Sequence, residues 1–460
     1  MRRVRWHAAI AALCFVALPA RDDAAGTPSP IQRSLWFLYF NQVQQPLDVT
    51  VDGIRIRDFP GDWPQHFTLQ GGGAGRVRDV SPFTVAFIHH ALATVVEQNG
   101  RQLNLTDLDF LMARAMRQRA MGFMRLFESA PAAPDAGTFG FWPYDADPRT
   151  PDLLTTLLMT AWLKGPILGG QRVPINLPIY PSTLAIPSDA DVTATTYAAM
   201  MDAAALDGAP ASPVAFERFF ADWRDVGAVP RRVNPWWLPP ASGAYLTWLT
   251  YRDPPRLLPN DVDLVVNGNV LYALGRKHRL DAPGVTEAVR LINLAAILGI
   301  HRSRLEDLTE YYPDNFAFQY VVSRAFREGG VSALATAVQI FASDLERTAL
   351  LRADGTIHWD KGDPHLNTAF AALTLMNAGR RGALLDGAIR YLESEQNAVG
   401  GFDEATFFVG RTDGGQVFEF TSASLTTAMA LEAMARHRLG RQAATAATMR
   451  DRTGRARRAP

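Results

Sequence analysis

Pro187-Ser188-Asp189-Ala190-Asp191-Val192-Thr193-Ala194 opens a helix, and its reading decides the fold. Ser and Asp are favoured just before the first helical turn. There a side-chain oxygen accepts a backbone N–H and contributes about 1 kcal/mol. Small and apolar residues then recur at intervals of three and four, which predicts a helix over 193–205. One cap needs one acid, and two stand here. One of Asp189 and Asp191 can cap while the other faces a cavity.

The same apolar spacing recurs in 82–98, 107–128, 151–164, 213–222, 262–276, 283–299, 315–328, 331–350, 366–378, 382–395 and 421–436. About twelve helices are expected, with no convincing alternating strand among them. They fall into two kinds. One is rich in Ala, Thr, Asn and Leu and starts after Asp, Gly or Pro, as at Pro151, Asp189, Asp261, Tyr311, Gly362 and Phe420. The other, at 283–299, 331–350 and 382–395, carries Arg and Glu on one face. Small-residue helices suit a crowded inner ring and amphipathic ones a solvated outer ring, so their alternation predicts a repeated helical hairpin.

Several inner-type helices follow a Gly-aromatic turn: Gly140-Phe-Trp-Pro-Tyr144, Gly355-Thr-Ile-His-Trp359 and Gln396-Asn-Ala-Val-Gly-Gly-Phe402. A Gln ending one helix, a Gly turn and an aromatic ring resembles the repeat motif of squalene–hopene cyclases and protein prenyltransferase β-subunits. The stretch 187–194 resembles the Asp-x-Asp-Asp-Thr-Ala motif of class II terpene cyclases. In that family the motif opens an inner helix of an α/α toroid. Val192 stands where the motif has its last Asp, and the chain has helices for one toroid where those cyclases use two. The resemblance spans about 80–437. The fold expected is all-α, a single α/α toroid of about six helical hairpins over 81–437. Residues 21–80 are expected to be a leader and irregular segment, and the basic stretch 438–460 a disordered tail.

In such a toroid the inner helices point their N-termini at one mouth. Asp189, Asp191, Asp261, Asp263, Asp314, Asp363 and His365 then converge although they are distant in sequence. A carboxyl group among other carboxylates and aromatic walls has a raised pKa, as a general acid near neutrality requires. Asp191, Asp189, Asp263, Asp261 and His365 are therefore the candidate catalytic residues. The plain alternative for each acid is a helix cap, and for His365 a partly buried structural role. Asn267 and Asn269 share a helix with Asp263, where Asn is unfavourable unless it bonds something. They are either substrate contacts or interhelical glue. Tyr311, Tyr312, Trp142, Trp248 and Trp359, with Asp314 and Asp363, complete the candidate substrate contacts. His89 and His90 are adjacent on a helix and cannot share a face as a metal pair.

Composition bounds the rest. Lys+Arg and Asp+Glu balance at 46 each in 460 residues, which argues against nucleic-acid binding. Arg2, Arg3 and Arg5, the apolar run Ala8–Leu18 and the small site near Ala20 predict a signal peptide over 1–20 and a periplasmic or secreted protein. Cys14, the only cysteine, lies in that apolar run, so the mature chain is expected to have no disulfide and no thiolate chemistry. P-loop, dinucleotide, zincin and nucleophile-elbow motifs are absent, and neither metal nor cofactor is expected.

Three functions fit. The first is acid-catalysed cyclisation, isomerisation or hydration/dehydration of an isoprenoid-like small molecule, with Asp191 as donor and aromatic walls around a cation. The second is a glycoside hydrolase or polysaccharide lyase acting on an oligosaccharide through paired carboxylates. The third is a non-catalytic binding toroid with a filled axis. Peripheral membrane contact stays open.

Overall fold

Two kinds of helix are distinguished by what they bury. Helix Leu264–Arg276 buries every side chain from Leu264 to Gly275, as a helix surrounded by protein must. Helix Val285–Leu298 buries one stripe, including Val285, Ala288, Val289, Ile292, Ala295 and Ala296. The computed structural model describes residues 27–456 except 52–53, 70–76, 98–99, 130, 132–134, 142–166, 169–170, 173–187, 230, 232–233, 250–259, 314 and 412–416. The expected signal peptide and the expected helix 151–164 lie outside the described residues, as do Trp142 and Asp314.

In chain order the helices are α1 (Pro30–Asn41), α2 (Pro82–Glu97), α3 (Asp107–Met124), α4 (Ala190–Asp207), α5 (Glu217–Asp222), α6 (Leu264–Arg276) and α7 (Val285–Leu298). There follow α8 (Ile300–Ser303), α9 (Ala317–Arg327), α10 (Ala335–Thr348), α11 (Pro364–Asn377), α12 (Ala383–Glu395) and α13 (Ala423–Ala456). Packing runs α2 on α4, α4 on α6, α6 on α9, α9 on α11, α11 on α13, and α13 back onto α2. Around that cycle lie α3 against α2 and α4, α7 against α6, α10 against α7, α9 and α11, and α12 against α11 and α13. Among the described residues no helix is long and apolar enough to cross a membrane.

A recurring clamp sets the inner helices in place. The backbone N–H of Phe139 donates to Thr193 on α4, and that of Tyr245 to Asn267 on α6. Trp359 donates likewise to Thr368 on α11, and Phe402 to Thr427 on α13. In each case a polar side chain in the first turns of an inner helix receives the amide of a buried aromatic. A positive-φ glycine precedes each ring: Gly137, Gly243, Gly355 and Gly400. The true repeat is thus Gly, aromatic, then Thr or Asn. The expected turn at Gly140 is replaced by Gly137-Thr-Phe139, and Gly243-Ala-Tyr245 is a further copy. Closeness of the ring is visible at Gly275, where a Cβ would sit 2.0 Å from the Gly329 carbonyl oxygen.

The strands are β1 (Leu47–Val51), β2 (Ile54–Asp58), β3 (Gln65–Leu69), β4 (Val77–Asp79), β5 (Ile167–Leu168), β6 (Gln171–Arg172) and β7 (Ser188–Asp189). The rest are β8 (Trp248–Leu249), β9 (Leu350–Leu351), β10 (Ile357–His358), β11 (Thr406–Arg411) and β12 (Val417–Thr421). One antiparallel sheet, in the order β11-β12-β3-β4, joins the two ends of the chain.

Two expectations about the ends are corrected. Residues 30–41 form a helix rather than a leader, because Ser29 caps it and Pro30 sits in the first turn, where its missing N–H costs nothing. The segment 35–79, expected to be irregular or weakly stranded, supplies β1 to β4. The basic C-terminal stretch continues α13 to Ala456. Its alanines and arginines are strong helix formers, a preference the charge-based reading undervalued.

Candidate active site

The N-terminal ends of the inner helices gather around Asp191. Asp189 caps α4, accepting the Val192 N–H at 2.6 Å, and its backbone pairs with Trp248 across β7 and β8. Asp191, two residues on, is buried. Its Oδ1 accepts Asn269 Nδ2 of α6 at 2.6 Å, and its Oδ2 accepts the Tyr312 hydroxyl at 2.5 Å. Asn269 Oδ1 accepts Nη2 of Arg324 on α9 at 2.6 Å. Of the two acids, Asp189 is the cap, and Asp191 bonds side chains of α6 and of the segment before α9.

Burial disfavours the charged form of both acids. It pushes Asp191 up to about 7 against the opposing hydrogen bonds from Tyr312 and Asn269 and the charge of Arg324, with Asp263 adding to the rise. Asp189 is raised well above the usual carboxylate range by burial and then by the charge of Asp191. Its Oδ2 is buried without a hydrogen-bond partner, as suits a protonated acid more than a carboxylate. The N-terminus of α4 favours negative charge, but only by about 1 kcal/mol, so burial wins.

Through Tyr312 the acid is joined to a cluster of aromatic rings. Tyr312 stands edge-on to Phe83 and Phe407, with centroids 6.2 and 5.9 Å away. Phe407 of β11 stacks on Phe83 at 5.4 Å and meets Phe87 of α2 and Phe370 of α11. The hairpin formed by β11 and β12 therefore inserts a ring among the helix starts.

The other candidates divide clearly. Asp263 caps α6 through Val265 and Val266 on Oδ1, while Oδ2 accepts Thr309 Oγ1 at 2.5 Å and the Glu310 N–H at 3.0 Å. Both its oxygens hold the 309–311 loop to the helix, so it positions Tyr312. Burial raises it to about 6. Asp261 accepts the Tyr311 hydroxyl at 2.7 Å, and Tyr311 in turn accepts Trp248 Nε1 at 2.9 Å. Asn267 is glue: its side chain bonds both backbone groups of Tyr245. Asp363 accepts the Thr406 N–H at 3.0 Å and so anchors β11.

Two candidates stand apart from Asp191. His365 packs on Tyr391 of outer helix α12, with Glu395 Oε2 at 3.8 Å from Nε2, a setting that matches the structural alternative to the general-base role. Trp359 is fully buried with its Nε1 on the Leu345 carbonyl of α10, which makes it framework where a substrate contact was expected. Arg324 and Phe83 were missed by sequence reasoning. An arginine amid the apolar run 316–326 was the available signal for Arg324, shared with Gln319 and Ser323 of the same helix.

A second polar cluster lies toward the C-terminal ends of the inner helices. His90 Nδ1 is 3.2 Å from Asp202 and Nε2 3.1 Å from Glu328, and Arg436 bridges Glu328 and Glu432 at 2.7 and 2.9 Å. Despite burial, the neighbouring carboxylates raise His90 to about 9. His90, Glu328 and Glu432 lie close enough to share a metal ion. Arg436 and the charged His90 together balance the two glutamates, so the cluster reads as an ion-pair network.

No protein-family profile matches the chain, and no curated protein matches it. Among solved structures it is similar to the type II terpene cyclase MstE from Scytonema in its apo form. That match has 14% identity over 88% of this chain and 97% of that one, with a TM-score of 0.49. A variant of the same cyclase in complex with geranylgeranyl dihydroxybenzoate, its substrate, matches at 13% identity over 89% and 96%, with a TM-score of 0.48.

Proposed function

We propose that the protein is an acid catalyst for an apolar polyene of isoprenoid type, and that the helix cycle is the expected α/α toroid with Asp191 at its mouth. One observation carries the reading. Asp191 is a buried carboxyl group raised to about 7 and fixed at both oxygens, at one of them by a tyrosine packed among aromatic rings. Such a group keeps its proton in about half of the molecules at neutrality and can deliver it where water is excluded.

The reaction proposed is protonation of a terminal alkene. The proton on Asp191 adds to the less substituted carbon, and the tertiary cation is attacked by the next double bond, closing a ring. The final cation loses a proton to a base or takes up water. Phe83, Tyr312 and Phe407 offer ring faces to the cation, each worth about 0.5–2 kcal/mol. Export through the N-terminal signal segment belongs to the same proposal.

Incubation of the purified protein with linear polyprenols in heavy water tests it. Cyclised or isomerised product carrying one added deuterium is expected from the wild type, and none from Asp191→Asn. Product formation by Asp191→Asn at the wild-type rate would overturn the assignment. The ring cluster of Phe83, Phe87, Phe370 and Phe407 favours one rival, a binding toroid with a filled axis. That reading gains if polyprenols bind and are recovered unchanged.

A further inference from the structure

Arg324 is a buried cation at the centre of the inner ring. Its guanidinium lies 4.6 Å from the Phe87 centroid, 4.3 Å from Tyr272 and 5.4 Å from Tyr320, so aromatic faces fix its plane. Its Nη2 donates to Asn269 Oδ1. A guanidinium has no acceptor. The ambiguity of an asparagine amide, whose oxygen and nitrogen can exchange places, is therefore removed here. The oxygen must face Arg324, and the NH2 must face Asp191.

That orientation decides where the proton of Asp191 sits. An amide NH2 only donates, so Oδ1 of Asp191 must accept from it whatever the protonation state. The acidic proton is left with Oδ2, which faces the Tyr312 hydroxyl. A hydroxyl can do either job. It donates to the carboxylate and, after one rotation about its C–O bond, accepts from the carboxylic acid. Both protonation states are satisfied without moving a heavy atom.

We propose that Arg324 and Asn269 form a positioning pair that confines the acidic proton of Asp191 to the oxygen facing Tyr312. The inference rests on the reading of Asp191 as proton donor, which it deepens by naming the atom that carries the proton. Aligned delivery needs that definition, because a proton on Oδ1 would point at Asn269 and not toward Tyr312, the residue that packs on Phe83 and Phe407.

Infrared difference spectroscopy of the full-length protein, with Asp191→Asn as the blank, reads the carboxylic C=O band of Asp191 and needs no substrate. A single band that moves on Tyr312→Phe is expected. Asn269→Asp keeps a partner for Arg324 but presents an acceptor to Asp191, so it draws the proton to Oδ1. The band then shifts and loses its response to Tyr312→Phe. Where a polyene is turned over, kcat falls about 100-fold with KM little changed. Arg324→Met lets the amide flip and splits the band, and Arg324→Lys, again a pure donor, restores one band. A wild-type band in both Asn269→Asp and Arg324→Met overturns the proposal. If the bands move as expected but no polyene reacts, the positioning pair stands and the catalytic reading falls.

Discussion

Tyr312 places its hydroxyl 2.5 Å from Oδ2 of Asp191, joining residues 121 positions apart at the opening of the inner ring. The contact is buried on both sides. It is one of two hydrogen bonds that pull Asp191 down against the larger effect of burial. Tyr312→Phe is expected to raise the Asp191 pKa above about 7. An acid catalyst is active while protonated, so activity is present below that pKa and lost above it. The alkaline limb of the rate profile should move to higher pH while kcat drops, and a pH–rate series on both proteins checks this.

Asp191 also links stability to pH. Its folded pKa of about 7 lies above the unfolded value of about 3.9, so the unfolded chain releases the proton first. The contribution is fully present below the unfolded value and is lost as pH rises toward 7. Asp191→Asn removes this loss. Thermal melts from pH 4 to 8 should show the variant gaining on the wild type by a few kcal/mol at the alkaline end, with Asp189 keeping a slope of the same sign in both.

Asp263 should behave as framework. Asp263→Ala removes the α6 cap and the anchor of the 309–311 loop together. A loss of about 2–4 kcal/mol is expected from the cap and the donors left unpaired. Denaturant titration measures it. A variant as stable as the wild type would show that the loop is held by other means.

His90 loses its stabilisation in the same direction as the buried acids, but over a higher pH window. Its folded pKa of about 9 exceeds the unfolded value of about 6.5 because Glu328 and Asp202 hold its charge. The stabilisation is complete below 6.5 and is lost as pH rises through 9, about 3 kcal/mol in all. His90→Gln should flatten the melting curve over that window.

Phe407→Ala tests the ring cluster. A fully buried Phe in contact with Phe83, Phe87 and Phe370 costs about 3–5 kcal/mol to truncate. A much smaller loss, read by chemical denaturation, would mean that the hairpin rests loosely on the helix starts.

Helix periodicity made much of this architecture readable. The expected helices at 82–98, 193–205, 283–299 and 382–395 lie on α2, α4, α7 and α12 within a few residues. Asp189 and Asp191 were legible because capping is local and a second acid in one turn exceeds what capping needs. Asn269 could not be separated from Asn267 in the same way. Two residues on one helix point 200° apart, and only the ring decides which of them meets Asp191. Arg324 was hidden for a related reason, since its role depends on a partner 55 residues away. His365 and Trp359 were misplaced because a residue near a helix start can face the outer layer as readily as the axis.

The return of α13 onto α2 has a kinetic consequence. The first inner helix stays open on one flank until the last has been synthesised, and the sheet likewise waits for β11 and β12 to reach β3. Gln396 bonding Ser34, 362 residues earlier, belongs to the same late closure. Such long-range closure makes folding slow and leaves apolar helix faces uncovered meanwhile. A chain stopped before Ala423 would lack the last helix of the cycle, and chaperones would meet it with the flank of α2 still uncovered.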